Sequence, residues 1–165
     1  MSTPLDDRRS VLRADGGALR PFHLALAVHD LQAAEDFYGN VLGASIGRRS
    51  ERWIDFDLGG HQITVHLGPQ QGREGASDSI GASNPVDGDQ VPIPHFGVVL
   101  SMEAWERLAA SLQQSACDFL IPPRVRFEGQ PGEQGTLFLR DPSGNALEFK
   151  GLRSAAALFD DAGAY

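Results

Sequence analysis

Cysteine is almost absent from this sequence, which has one, Cys117, among 165 residues. A single cysteine cannot form a disulfide within the chain or supply a cysteine-rich zinc site. Because Cys117 follows an apolar helical pattern, we predict a buried structural thiol rather than a reactive one. Small disulfide-stabilised domains and zinc-finger proteins are therefore excluded as classes.

Long apolar runs and an excess of positive charge are missing as well. The apolar stretches, such as residues 98–100, are far shorter than the roughly 20 residues of a membrane-spanning helix. The chain has 14 basic and 22 acidic residues and a formal net charge of -8, which argues against nucleic acids and anionic membranes as partners. Residues 1–20 lack the apolar segment of a signal peptide, so we expect a cytoplasmic protein.

Apolar residues make up 41% of the chain, enough for the core of one compact domain or two small ones. Residues 1–20 have the composition of a flexible leader. Residues 68–94 are rich in Gly, Ser, Asp, Asn and Pro without periodicity, which predicts a connector between residues 21–67 and 95–152. The Ala-rich tail, residues 153–165, is typical of a short helix or a frayed terminus.

The regions on the two sides of the connector have the same order of predicted elements. Each begins with a strand, continues with an amphipathic helix and ends with further strands. Asp30 and Ser101 are the predicted helix caps, and Gly43 is the predicted stop of the first helix. The predicted strands are residues 23–28, 53–58 and 62–67 in the first region and 95–100, 125–127, 136–140 and 146–150 in the second. This repeat predicts an α+β fold of two modules, each with a strand, a helix and two or three further strands.

Four strands carry one potential metal ligand opposite their bulky apolar residues. Successive residues of a strand point to opposite faces, so His23 lies on the face opposite Leu24 and Leu26. The same alternation occurs in three more strands, with the ligands His66, His95 and Glu148. If a pseudo-twofold axis relates the two halves, all four side chains converge on one point. Histidine and glutamate suit one divalent ion, such as Fe, Zn, Mn, Ni or Co.

These segments resemble the vicinal oxygen chelate superfamily, which includes glyoxalase I, bleomycin resistance proteins and extradiol dioxygenases. The resemblance covers about residues 21–152 and rests on four segments in the family's order, residues 23–28, 36–43, 95–98 and 138–149. The most specific phrases are Phe-Tyr-x-x-Val-Leu-Gly and Asp-Pro-x-Gly-Asn-x-x-Glu-Phe. The resemblance implies two βαβββ modules around a half-barrel cavity, and it implies a homodimer, which is frequent in this family.

The resemblance also implies a metal site at the positions that match His23, His66, His95 and Glu148. The glyoxalase motif of the family normally has Glu where this chain has His66, so lactoylglutathione lyase activity is not specifically implied. His66 is alternatively a proton carrier that stands back from the metal. Arg124 and Arg126, on an alternating segment after a double proline, are candidates to bind an anionic group of the substrate.

The number of ligands distinguishes the candidate reactions. Four protein ligands leave two positions on an octahedral ion, which suits a substrate that chelates through two neighbouring oxygens and undergoes proton transfer. That is lyase or isomerase chemistry, with His66 and Glu148 as catalytic residues. Two histidines and one glutamate leave three positions, which suits an extradiol dioxygenase with Fe(II) and O₂. We favour the lyase or isomerase, with the dioxygenase and a metal-free drug-binding resistance protein as alternatives.

Overall fold

The computed structural model describes most of the chain. The described residues are 20–68, 83–115, 117–130, 132–154 and 158–159. Most of the predicted leader, connector and tail lies outside these residues. Both predicted modules lie within them except for two positions, residues 116 and 131.

The first module is a four-stranded sheet with a helix on one face. Its strands are β1 (His23–Val28), β2 (Ser45–Arg49), β3 (Trp53–Leu58) and β4 (His61–Leu67). Their order across the sheet is β1-β4-β3-β2, with β1 parallel to β4 and the other neighbours antiparallel. The sequence pattern did not predict β2, an edge strand in which every residue is exposed and no apolar alternation exists.

The helix of the first module begins as α1 (Leu31–Glu35) and continues as a π-helical segment (Asp36–Val41). The predicted cap, Asp30, accepts a hydrogen bond from the Ala33 amide at 3.0 Å and satisfies a donor of the first turn. The predicted stop, Gly43, has a φ of +74°, a backbone conformation that favours glycine. The sequence therefore predicted both ends of the helix but not its change of winding.

The described part of the predicted connector contains a β-hairpin. Strands β5 (Ser83–Val86) and β6 (Asp89–Pro92) pair antiparallel on the two sides of a turn formed by Asp87 and Gly88. Both turn residues have positive φ, +47° and +84°, as a type I′ turn requires. Each strand contains a proline, which is rare inside strands, so the sequence pattern did not predict the hairpin. The hairpin leads directly into the second module.

The second module repeats the architecture of the first. Its elements are β7 (Phe96–Ser101), α2 (Met102–Gln113), β8 (Phe119–Arg126), β9 (Gln134–Arg140) and β10 (Ala146–Leu152). The strand order is β7-β10-β9-β8, with β7 parallel to β10. The predicted α+β fold of two βαβββ modules is confirmed. None of the described helices has the length and apolar character needed to cross a membrane.

Each of the two sheets has a helix packed on one face, and no helix of the described residues packs on the other face. The covered faces share one apolar core with both helices, and its strand residues include Ile54, Phe56, Ile63, Val65, Leu137, Leu139, Leu147 and Phe149. The alternate residues lie on what we call the open faces. The open face of the first module carries His23, Ala25, Trp53, Asp55, Gln62, Thr64 and His66, and that of the second carries Thr136, Phe138, Glu148 and Lys150. The predicted metal ligands of the strands are thus on the open faces.

The turn between β9 and β10 joins the two modules. The buried Asp141 carboxylate accepts hydrogen bonds from the Tyr38 hydroxyl at 3.0 Å and from the Asn145 side-chain amide at 2.8 Å. The same amide donates to the Ala27 carbonyl at 3.1 Å. Burial and the neighbouring carboxylate raise the pKa of Tyr38, which keeps it a neutral donor. Tyr38 and Asp141 belong to the two most specific family phrases. The hydrogen bond between them connects the two modules.

Candidate metal centre

A histidine and a glutamate meet on the open face of the second module. His95 Nε2 lies 3.1 Å from Glu148 Oε2. Glu148 is 5% exposed, and its other oxygen, Oε1, accepts a hydrogen bond from the Thr136 hydroxyl at 2.8 Å. Lys150 Nζ lies 3.6 Å from Oε2. The carboxylate is therefore held on one oxygen and presents the other to His95.

The protonation of His95 follows from its second contact. Nδ1 lies 2.7 Å from the Pro92 carbonyl oxygen, which can only accept, so Nδ1 carries the hydrogen. In the neutral ring Nε2 then has no hydrogen and faces a carboxylate oxygen. Two acceptors this close require either a proton on Nε2 or a cation between them. The bond to Glu148 raises the pKa of His95 against the opposing effect of burial.

The charge of Glu148 is also maintained by its neighbours. Burial by itself raises the pKa of this carboxyl group. His95, Lys150 and Thr136 outweigh burial and lower the pKa below its ordinary range. An ionised carboxylate beside an imidazole whose other nitrogen is bound to a carbonyl provides two of the ligands that a divalent-metal site uses. The residues present therefore fit a metal ion.

The other predicted ligands lie on the open face of the first module. His23 is exposed, and its Nδ1 lies 2.8 Å from the Gln62 side-chain oxygen, which leaves Nε2 without a hydrogen in the neutral ring. His66 is exposed and pairs across the sheet with Trp53. In the part of the chain that the structure describes, no three His, Cys, Asp or Glu side chains are close enough together to hold a metal ion. The structure thus brings His95 and Glu148 together, and neither His23 nor His66 joins them.

The strand register identifies the residue of the first module that corresponds to Glu148. Glu148 pairs with Gly97, two positions after His95. Two positions after His23 is Ala25, whose partner in β4 is Thr64. Thr64, and not His66, is therefore equivalent to Glu148. His66 pairs with Ala27 and Lys150 with Val99, so His66 is equivalent to Lys150.

The first module has a buried carboxylate of its own, which sequence reasoning missed. Asp55 is 5% exposed, and it accepts hydrogen bonds from the Thr64 hydroxyl at 2.6 Å and from Arg48 Nε at 3.0 Å. Burial favours a higher pKa for Asp55, but these two donors hold the pKa below its ordinary value. The alternation in residues 53–58 puts Asp55 on the open face with Trp53. This alternation could have identified Asp55 from the sequence.

The predicted substrate-binding arginines both contact the β5–β6 hairpin. Arg124 lies 3.0 Å from Asp87 and 3.3 Å from Asp89, and Arg126 lies 2.9 Å from the second oxygen of Asp89. Only 3% of the Arg126 side chain is exposed, and its Nε is buried without a hydrogen-bond partner. The guanidinium lies 5.9 Å from the ring centre of Phe138, which in turn meets the His95 ring edge-on at 5.1 Å.

Comparisons with known proteins agree with the fold. Residues 20–149 match the family model of the Glyoxalase/Bleomycin resistance protein/Dioxygenase superfamily. A glyoxalase/bleomycin resistance protein/dioxygenase from Alicyclobacillus acidocaldarius is 32% identical, with a TM-score of 0.68 over 85% of this chain and 96% of that chain. The fold and the match together show that the chain belongs to this superfamily.

More distant solved structures share the fold. The fosfomycin resistance protein FosX from Listeria monocytogenes is 16% identical, with a TM-score of 0.58 over 85% of this chain and 98% of that chain. TioX from Micromonospora sp. ML1 is 18% identical, with a TM-score of 0.55 over 80% of this chain and 98% of that chain. No curated protein matches the chain.

Proposed function

We propose that the protein is a divalent-metal-dependent enzyme whose substrate is a small molecule that chelates the metal through two neighbouring oxygens. The observation that carries the proposal is the contact at 3.1 Å between His95 Nε2 and Glu148 Oε2. A cation between these two acceptors satisfies both without a proton. Fe, Zn, Mn, Ni and Co are the candidate ions, since each accepts imidazole and carboxylate ligands.

The neighbours of the two ligands prepare them for this role. The Pro92 carbonyl keeps the hydrogen of His95 on Nδ1, so that Nε2 is free to bind. The Thr136 hydroxyl occupies one oxygen of Glu148 and directs the other toward His95. When bound, the ion supplies Lewis-acid activation of the substrate oxygens.

We propose that the third ligand is His23 of a second copy of the chain. His23 resembles His95 in that an oxygen acceptor engages Nδ1 and leaves Nε2 available, here through Gln62 at 2.8 Å. Closing the open face of the first module of one copy over the open face of the second module of another copy would bring His23 to His95 and Glu148. This arrangement is a homodimer with two equivalent sites.

The reaction class depends on the number of protein ligands. The lyase or isomerase hypothesis took His66 as the fourth ligand, but the register gives Thr64 the position equivalent to Glu148. Two histidines and one glutamate would leave three coordination positions of an octahedral ion free. Two would take the substrate oxygens and one a small reactant. This count favours the second candidate, an extradiol-type dioxygenase that uses Fe(II) and O₂, over lyase or isomerase chemistry.

Arg124 and Arg126 remain proposed contacts for an anionic group of the substrate. Arg126 is the better candidate, because its Nε has no partner and because its guanidinium lies 5.9 Å from the ring centre of Phe138, which also contacts His95. Arg124 already shares its donors between Asp87 and Asp89.

The test is metal content after reconstitution of the purified protein under low oxygen with each candidate ion. We expect about one ion per chain in the wild type and loss of the ion in Glu148→Ala and His23→Ala. We expect His66→Ala and the control Glu128→Ala, an exposed loop carboxylate, to retain it. A wild type that binds none of the ions would overturn the proposal in favour of a metal-free binding protein. Loss of the ion in His66→Ala would restore the four-ligand lyase or isomerase hypothesis.

A further inference from the structure

The open face of the first module carries an arginine that a buried carboxylate holds in place. Arg48 Nε and Nη2 each lie 3.0 Å from Oδ2 of Asp55. The other oxygen of Asp55 accepts the Thr64 hydroxyl at 2.6 Å. Both carboxylate oxygens therefore have partners, and Asp55 fixes one edge of the guanidinium.

An aromatic ring supports the same arginine. Arg48 Cζ lies 5.8 Å from the ring centre of Trp53, within cation–π range. The Arg48 side chain is nevertheless 78% exposed. A guanidinium that is held on two sides and exposed on the rest loses little further freedom when it binds a ligand. Because most of the side chain is exposed, the guanidinium is accessible to an oxygen anion.

The open face of the first module lies between Arg48 and the proposed metal ligand His23. Ala25, Thr64 and Asp55 lie side by side across β1, β4 and β3. His23 is on the same face of β1, two positions before Ala25. Asp55, which holds Arg48, lies two strand spacings of about 4.8 Å from β1 and is level with Ala25, two residues beyond His23, so the backbones of His23 and Asp55 are on the order of 12 Å apart. Ala25 contributes only a methyl group to this surface.

We infer that Arg48 determines specificity by binding an anionic group at the end of the substrate away from the metal. The inference rests on the proposed function, since it takes His23 as a metal ligand. The substrate class is then a small acid with an oxygen chelate at one end and a carboxylate or another oxyanion at the other. A planar guanidinium with free N–H groups suits such an oxyanion.

The test compares two acids of equal chain length on the Mn²⁺-loaded protein. 2-Oxoglutarate and 2-oxovalerate share the chelating end, and only 2-oxoglutarate has a distal carboxylate. Calorimetric titration should give about tenfold tighter binding of 2-oxoglutarate to the wild type, the size of a charge-assisted hydrogen bond. Arg48→Met should abolish this preference. The matched control is Arg49→Met, because Arg49 pairs with Glu35 at 2.9 Å instead of with Asp55. Equal affinity of the wild type for both acids, or a preference that survives Arg48→Met, would overturn the inference.

A second readout needs no metal. Inorganic phosphate titrated into the metal-free protein should change the fluorescence of Trp53, which lies beside Arg48, and Arg48→Met should remove the change. The second tryptophan, Trp105, is buried and gives a constant background. A wild type that binds no metal but shows the Arg48-dependent phosphate signal would contradict the proposed function alone. No phosphate signal in the wild type would contradict the role of Arg48.

Arg48→Met leaves the buried Asp55 without a cation and risks unfolding. Arg48→Lys keeps the charge but loses the planar fork, so a partial loss of the preference for 2-oxoglutarate is expected. If circular dichroism shows Arg48→Met to be unfolded, Arg48→Lys is used to test whether Arg48 produces the preference for 2-oxoglutarate. An unchanged preference in folded Arg48→Lys would then overturn the inference.

Discussion

The two modules have the same strand order but different chemistry on their open faces. In the second module His95 and Glu148 are in contact as an imidazole–carboxylate pair, and the Thr136 hydroxyl binds the carboxylate. In the first module the residue equivalent to His95 is again a histidine, His23, but Thr64 replaces the glutamate. The repeated backbone therefore does not imply a repeated site.

The buried carboxylates of the two modules have different partners. Glu148 faces an imidazole, whose contact is completed by a proton or a metal ion. Asp55 faces Arg48, which is permanently charged and leaves no place for a metal. In our account the second module supplies two of the three metal ligands, and the first module supplies one ligand and the surface that binds the substrate.

The largest expected difference between the modules is in the free energy of unfolding when Gly97, two positions after His95, and Ala25, two positions after His23, are substituted. A Cβ on Gly97 would overlap the backbone carbonyl of Glu148, whereas Ala25 already has a Cβ at the equivalent position. Gly97→Ala should lower the free energy of unfolding by about 3 kcal/mol, because β7 must move away from β10. Ala25→Gly should cost only about 0.5–1 kcal/mol. Urea unfolding measures both, and equal effects would contradict the register comparison.

A smaller effect is expected at Thr136, which orients Glu148. Thr136→Val keeps the shape but removes the donor to Oε1, so the affinity for the metal should fall about tenfold. The equivalent residue of the first module is Trp53, and Trp53→Phe should leave the metal affinity unchanged. Competition with a fluorescent chelator measures both variants. An unchanged affinity in Thr136→Val would show that Thr136 does not support a ligand.

The smallest effect is a dependence of stability on pH near and above the ordinary histidine pKa, which we assign to His95 of the second module. The pKa of His95 is raised in the folded metal-free protein, chiefly by its bond to Glu148. The resulting stability is complete below the ordinary histidine pKa of about 6.5 and is lost as the pH rises through the higher folded pKa. The melting temperature of the metal-free protein should therefore fall over this window, and His95→Gln should remove the slope.

Metal affinity should change with pH in the opposite direction to the melting temperature over the same pH range. His95 must lose its proton to bind, so affinity should increase as the pH rises. His23→Gln serves as the control, because it should leave the slope of the metal-free melting temperature in place. A slope that persists in His95→Gln would assign the titration to another group.

The sequence predicted the fold well because the fold depends on local signals. The alternation of apolar residues gave the faces of the strands, and Asp30 and Gly43 gave the ends of the first helix. Edge strand β2 was missed, since an exposed strand has no apolar face to produce alternation. The hairpin was missed because its two prolines outweighed the Asp-Gly turn.

The correspondence between the residues of the two open faces does not follow from the sequence alone, and His66 illustrates the reason. Alternation gives the face on which a residue lies, but a shift of two residues along the strand leaves the face unchanged. The position equivalent to Glu148 depends on the pairing of β1 with β4, which are separated by the helix and two strands. The contact between Arg48 and Asp55 joins an unpredicted strand to a predicted one, so no local pattern indicated it.

The central claim is that two copies of the chain share each metal site. The measurement that tests it most directly is complementation between two variants that each lack a metal ligand. His23→Ala lacks the ligand of the first module and Glu148→Ala lacks a ligand of the second, so neither should bind metal alone. If two copies share each site, a mixed dimer combines one intact site with one that lacks both ligands. We predict that unfolding and refolding the two variants together restores metal binding to about a quarter of the wild-type content, for random pairing of two copies. No recovery in mixtures that do form mixed dimers would contradict a site shared between His23 of one copy and His95 and Glu148 of the other.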